Sequence, residues 1–199
     1  MNKTGAGMLQ IAGVCAVAAP VLLLITDLSR IFADTDFVWT IGMWISLMLL
    51  IPTVLAFTYL LSQNVNRLAL LGGALAYFGL MAGASMQVLF RVYAVLREQG
   101  AAGTVGQLGS TFKLVASTQM IGIAWPLGLL ILSLICFRLR SVSFIVPLLL
   151  LIGAIVFPIG RIGDLAVAVL ISDAAFVIGF GLLAPRLFAA ANGTAEQQV

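Results

Sequence analysis

The chain reads as long apolar runs separated by short polar breaks. The runs cover roughly 8–26, 38–61, 68–96, 113–137, 142–159 and 165–184, and charged or turn-forming residues bound each of them. About twenty apolar residues let an α-helix cross a bilayer, whereas barrel strands would alternate over segments of about ten. The pattern therefore predicts an all-α fold, a polytopic membrane bundle of six transmembrane helices forming one domain over 1–199. An internal echo pairs Gln10 and Gly13 with Gln119 and Gly122, and the run 18–25 with 124–131. Were it a true duplication, three spans per half would make the halves inverted, although apolar helices also resemble each other by chance. The glycine-rich stretch 98–112 then reads as a flexible linker between the halves, and 192–199 as a mobile tail.

The third run carries the strongest pattern. Ala69, Gly72, Ala76, Gly79 and Gly83 recur at spacings of three and four, which places them on one helix face, and small residues let neighbouring helices approach closely. Continued at the same spacing, that face reaches Gln87 and Arg91. The breaks carry their own expectations. The first run continues to Ile25, past the small-residue triplet 16–18, so it reads as an uncleaved first span. Residues 27–37 read as a polar loop, 160–164 as a turn holding Arg161, Asp164 as the N-cap of the sixth helix, and Pro185 with Arg186 as its stop.

Composition narrows the function classes. Hydrophobic residues make up 62% of the chain and charged ones 9%, with a mean hydropathy of +1.19; soluble chains carry about a quarter charged. The formal charge of +3 comes from basic residues scattered over helix ends, not gathered in a stripe, so no nucleic-acid partner is expected. Both cysteines, Cys15 and Cys136, lie inside apolar runs and read as small buried hydrophobes. Histidine is absent, which removes the commonest zinc ligand, haem ligand and general base. No metal and no cofactor is implied.

The segment 59–71, Tyr-Leu-Leu-Ser-Gln-Asn-Val-Asn-Arg-Leu-Ala-Leu-Leu, resembles the second-turn signature of a family of bacterial six-helix inner-membrane proteins (a domain of unknown function, 4386 type). The opening Leu9-Gln-Ile-Ala-Gly is similar to that family's first helix. Where the family often has a polar aromatic or a histidine in its fourth helix, this chain has Trp125-Pro-Leu-Gly. The resemblance implies the six-helix fold and a multi-pass location in the bacterial inner membrane. The basic residues of the short turns favour termini in the cytoplasm.

The candidate chemistry lies in polar residues at depth. Asp173, nine residues beyond Asp164, falls about 13 Å along the sixth helix at 1.5 Å per residue, where a carboxylate must be paired, protonated or wet. Counting inward on the same side from Arg97 and Lys113 puts Arg91 and Gln119 at about 9 Å and Gln87 at about 15 Å. The expectation is a ligand-binding polar layer of Asp173, Arg91, Gln87 and Gln119, with Arg161 at its rim. The bland reading of the same residues is a quiet Asp173–Arg91 pair and glutamines that tie helices together. The layer suits binding or transport of a small amphiphilic molecule or a lipid headgroup, with membrane lipids as partners. The alternative is a structural or accessory subunit that packs against another membrane protein, or a second copy, through the Gly79 and Gly83 face. Intramembrane hydrolysis needs a Ser with His or Lys, paired acids, or a metal cluster, and the runs offer none, so no catalytic residue is assigned.

Overall fold

A computed structural model describes residues 3–33, 36–101, 103, 106–107, 121–140 and 142–193, and the described residues are helical with short turns between. Six helices follow in order: α1 Lys3–Ala33, α2 Asp36–Ser62, α3 Asn66–Glu98, α4 Ala124–Leu139, α5 Ile145–Ile162 and α6 Ala166–Ala191. By length and composition α1, α2, α3, α5 and α6 can each cross a membrane; α4 has 16 residues, short of that length. The coarse expectation, an all-helical bundle consistent with a multi-pass membrane protein, holds.

Each helix packs chiefly on its chain neighbours, and α6 closes back on α1, so the bundle is a ring. Close backbone approach sets the order. A Cβ at Gly79 would fall on the backbone of Trp125, and one at Gly128 on the backbone of Ala76 and Gly72, so α3 and α4 touch main chain to main chain. The small-residue face expected on the third helix is thus used inside the ring, toward α4 and, at Gly83 against Leu47, toward α2. At the α1–α6 seam Gly13 leaves room for the Phe188 ring. Between α1 and α2, Thr53 donates to the carbonyl of Ala12 at 3.2 Å, and Gly42 accommodates Thr26. The interior is filled by aromatics: Trp125 stacks on Phe180 with centroids 6.5 Å apart, and Phe176 contacts Trp125, Phe180 and Phe157.

Several boundaries differ from those expected, each for a physical reason. The first helix runs seven residues beyond 26, because Thr26 and Asp27 are buried against neighbours that satisfy them; of the predicted loop at 27–37, residues 27–33 belong to α1 and 36–37 to α2. Pro185 does not end the last helix, which continues to Ala191. Leu183, Ala184 and Leu187 are buried on both sides of it, so packing holds the turn that the proline weakens. Arg161 lies on the last turn of α5 and not in a loop. The turn follows it: the Leu165 amide donates to the Gly160 carbonyl at 2.8 Å, and Asp164 takes a left-handed φ of 50°, a conformation that Asp tolerates better than most residues. Asp164 is therefore not the N-cap of α6; Leu165 holds that position and no side chain caps it.

The third helix ends at Glu98 in a matching motif, with Gly100 at φ +82°, its amide on Arg97 and the Ala101 amide on Leu96. Most of the expected linker 98–112, the start of the expected fourth span at 113, and tail residues 194–199 lie outside the described residues. So does Gln119.

Candidate functional site

The charged residues converge where the C-terminal ends of α1 and α5 meet the N-terminal part of α6. Asp27 belongs to the buried stripe of α1, which runs Leu9, Ala12, Ala16, Ala19, Leu23 and then Asp27 itself. Arg161 is positioned by its neighbour Gly160, whose missing side chain lets α5 lie on the α6 backbone at Ala168 and Val169. Asp173 sits about two turns into α6 and is fully buried.

One guanidinium bridges two carboxylates. Arg161 Nη2 donates to Oδ2 of Asp27 and, at 3.1 Å, to Oδ1 of Asp173. Its Nη1 donates to the Ser172 hydroxyl at 3.4 Å, and the Ser172 hydroxyl in turn donates to the carbonyl of Val169 at 2.8 Å. The guanidinium carbon lies 3.9 Å from the centroid of the Phe157 ring. Because Phe157 packs on Phe176, the floor beneath the ion cluster is aromatic. Solvent reaches 18% of the Arg161 side chain and 5% of the Asp27 side chain but none of that of Asp173, so the cluster is graded from a wet rim to a dry base.

Asp27 is held from the other flank as well. The indole N–H of Trp39 on α2 donates to its Oδ1 at 2.8 Å, and Arg30 lies over the Trp39 ring at 4.4 Å. Arg30 also approaches the exposed carboxylate of Asp164 at 3.9 Å. Asp27, Arg30, Arg161 and Asp164, with Ile31, Ala166 and Val169, line an open cavity of about 300 Å³. Two atoms of the cluster have no partner among the described residues, Oδ2 of Asp173 and Nε of Arg161.

The expected polar layer is redistributed. Asp173 and Arg161 come together, with Arg161 central where the sequence put it at the rim. Arg91 does not reach Asp173: its guanidinium lies over the Phe37 ring at 5.1 Å and 4.0 Å from the Glu98 carboxylate. The cause is the order of the ring, in which α3 stands opposite α6, so equal depth does not bring their side chains together. Gln87 is buried on α3 with its side-chain oxygen unpartnered among the described residues, apart from the cluster. Sequence reasoning missed Asp27 and Trp39. Asp27 continues the three-and-four spacing of the buried small residues of α1, and that spacing was the signal for it.

Among the described residues no three His, Cys, Asp or Glu side chains are grouped to hold a metal ion, and no disulfide joins Cys15 and Cys136. No family model matches the chain, and neither a curated protein nor a solved structure matches it.

Proposed function

We propose that the protein binds, and moves across or along the membrane, a small amphiphilic molecule or lipid headgroup taken up in the mouth between α1, α5 and α6. The observation that carries this reading is the placement of Asp27 and Arg161 on the wall of an open cavity of about 300 Å³, with Asp173 buried behind Arg161. Asp27 and Arg161 stand on the wall of that cavity, so the ion pair keeps an approach from outside. Four charged side chains converge on this wall beside Ile31, Ala166 and Val169, which suits a ligand with a polar head and a short apolar part. The residues assigned to it are Asp27, Arg161 and Asp173, with Arg30 and Asp164 at the opening. Prolines inside α1, α2, α5 and α6 add to the support, since interrupted helices often border such sites.

The reading includes six crossings with both termini on one side. With three crossings in each half, α1 to α3 and α4 to α6 would be inverted relative to each other. Four exposed arginines, Arg67, Arg138 and Arg140 at helix ends and Arg186 a turn and a half before the end of α6, stand on the side of the termini, where the described residues include no acid. The opposite end mixes arginines with Asp36, Glu98 and Asp164. That contrast favours termini in the cytoplasm, and the resemblance at 59–71 favours a bacterial inner membrane.

Thermal unfolding of the purified chain in detergent, with short-chain ammonium, phosphate and phosphocholine amphiphiles, tests the reading. Ala166 lines the mouth and is exposed, so Ala166→Trp obstructs the cavity while leaving every charged residue of the cluster in place. At least one amphiphile should stabilise the wild type, and Ala166→Trp should abolish its effect. Equal stabilisation of both proteins, or none of either, would refute it.

A further inference from the structure

The Arg161 guanidinium occupies what is chemically a cation cradle. Two carboxylates face it, from Asp27 and Asp173, the Phe157 ring lies beneath it, and the Ser172 hydroxyl stands beside it. Carboxylates and an aromatic face are the groups that select a soft organic cation.

Arg161 uses this cradle poorly. A guanidinium binds carboxylates best through two parallel N–H donors, yet here one nitrogen, Nη2, serves both acids, while Nε has no partner among the described residues. The second oxygen of Asp173 is equally without a partner there, although the residue is fully buried. The charges do not balance either. Asp27, Asp164 and Asp173 stand against Arg30 and Arg161, which leaves one excess negative charge when the acids are ionised. Arg30 faces Asp164 and Trp39, so Arg161 alone answers two carboxylates.

An alternative place for Arg161 lies close by. Asp164 follows three residues later, exposed in its left-handed turn, lines the same cavity, and is approached by Arg30 only at 3.9 Å. An arginine on the last turn of a helix can swing from the cluster to that carboxylate without unwinding anything.

We propose that the mouth takes a small organic monocation, an alkylguanidinium or alkylammonium head, which binds between Asp27 and Asp173 by displacing Arg161 toward Asp164. This rests on the mouth being a binding site, as proposed above, and names the ligand class. Arg161 is then a tethered competitor that keeps the cradle filled between ligands. An anionic head would add a third negative charge beside two carboxylates, and a neutral head would leave the displaced arginine's place uncompensated.

The test measures binding of millimolar methylguanidinium to the full chain in detergent micelles, with methylurea as the neutral isostere at matched ionic strength. The wild type should bind methylguanidinium and not methylurea. Arg161→Ala should bind it more tightly, on the order of tenfold or more, because a site that is open only a fraction of the time loses apparent affinity by that fraction. Arg161→Ala with Asp173→Asn should lose the gain. If Arg161→Ala does not fold, Arg161→Gln, which keeps a donor toward Ser172, takes its place. No methylguanidinium-specific binding by the wild type overturns the proposal, even if a variant binds, because Arg161 is then a permanent structural ion. If phosphate or phosphocholine amphiphiles are blocked by Ala166→Trp while methylguanidinium fails, the mouth stands and the cation assignment falls. If no amphiphile of any charge binds, both fall.

Discussion

Removing Arg161 should destabilise the bundle far more than removing the deeper carboxylate, although one is partly exposed and the other is not. Arg161→Met leaves Asp27 and Asp173 facing each other without a counter-charge, in a place where Asp173 has no access to water. Opposite charges about 3 Å apart attract by roughly 5 kcal/mol at an effective dielectric near 20, which sets the upper scale for each pair. Measured losses on breaking buried pairs, after relaxation, are about 3–5 kcal/mol. Asp173→Asn keeps one carboxylate for one guanidinium, and its amide oxygen still accepts from Nη2. Only the charge assistance of one hydrogen bond is lost, about 1–2 kcal/mol. The double variant should cost at least about 1 kcal/mol less than the two single losses added, because groups in one network do not act independently. Reversible unfolding in mixed micelles, followed by far-ultraviolet circular dichroism, gives the three values. If Arg161→Met costs no more than Asp173→Asn, or the losses add within about 0.5 kcal/mol, the two carboxylates do not depend on one cation and the reasoning fails.

The other expectations separate buried from exposed contacts. Gly79→Ala would press a methyl onto the Trp125 backbone and should cost about 1–3 kcal/mol. Gly83→Ala, facing only the flexible tip of Leu47 at 3.3 Å, should be much milder in the same unfolding assay. Trp39→Phe removes the donor to Asp27 while keeping a ring beneath Arg30, and should lose about 1.5–3 kcal/mol, the usual worth of a hydrogen bond to a charged group. Asp164→Asn should change stability by less than about 1 kcal/mol, because its partner Arg30 is 3.9 Å away and both side chains are exposed.

The helices were legible because the long apolar runs have one physical explanation, a backbone that must satisfy itself where water is absent. Their ends were less so. Asp27, Arg161 and Pro185 each carry a local signal for a helix boundary, and in each case tertiary contacts outweigh it: Trp39 and Arg161 around Asp27, Gly160 beside Arg161, Leu183 and Leu187 around Pro185. The polar layer was half legible. Rise per residue fixes how deep a side chain lies, and it placed Asp173 and Arg91 at similar depth. It is silent on where around the bundle each helix stands.

That second coordinate is set by the glycines. Gly79 and Gly128 bring α3 and α4 together, Gly13 admits Phe188 between α1 and α6, and Gly160 lays α5 on α6. Each is a shape constraint with little tolerance, because the opposing surface is backbone or an aromatic ring. Charged groups have no comparable say, since an ion pair in a half-wet mouth can form from whichever arginine is delivered to it. Small residues therefore determine which polar residues meet, and the ring they build seats α6 between α1 and α5. On that footing Asp173 is offered Asp27 and Arg161 as companions, while Arg91 on the far wall turns to Glu98. A substitution that enlarges Gly160 should thus loosen the ion cluster without altering a single charge.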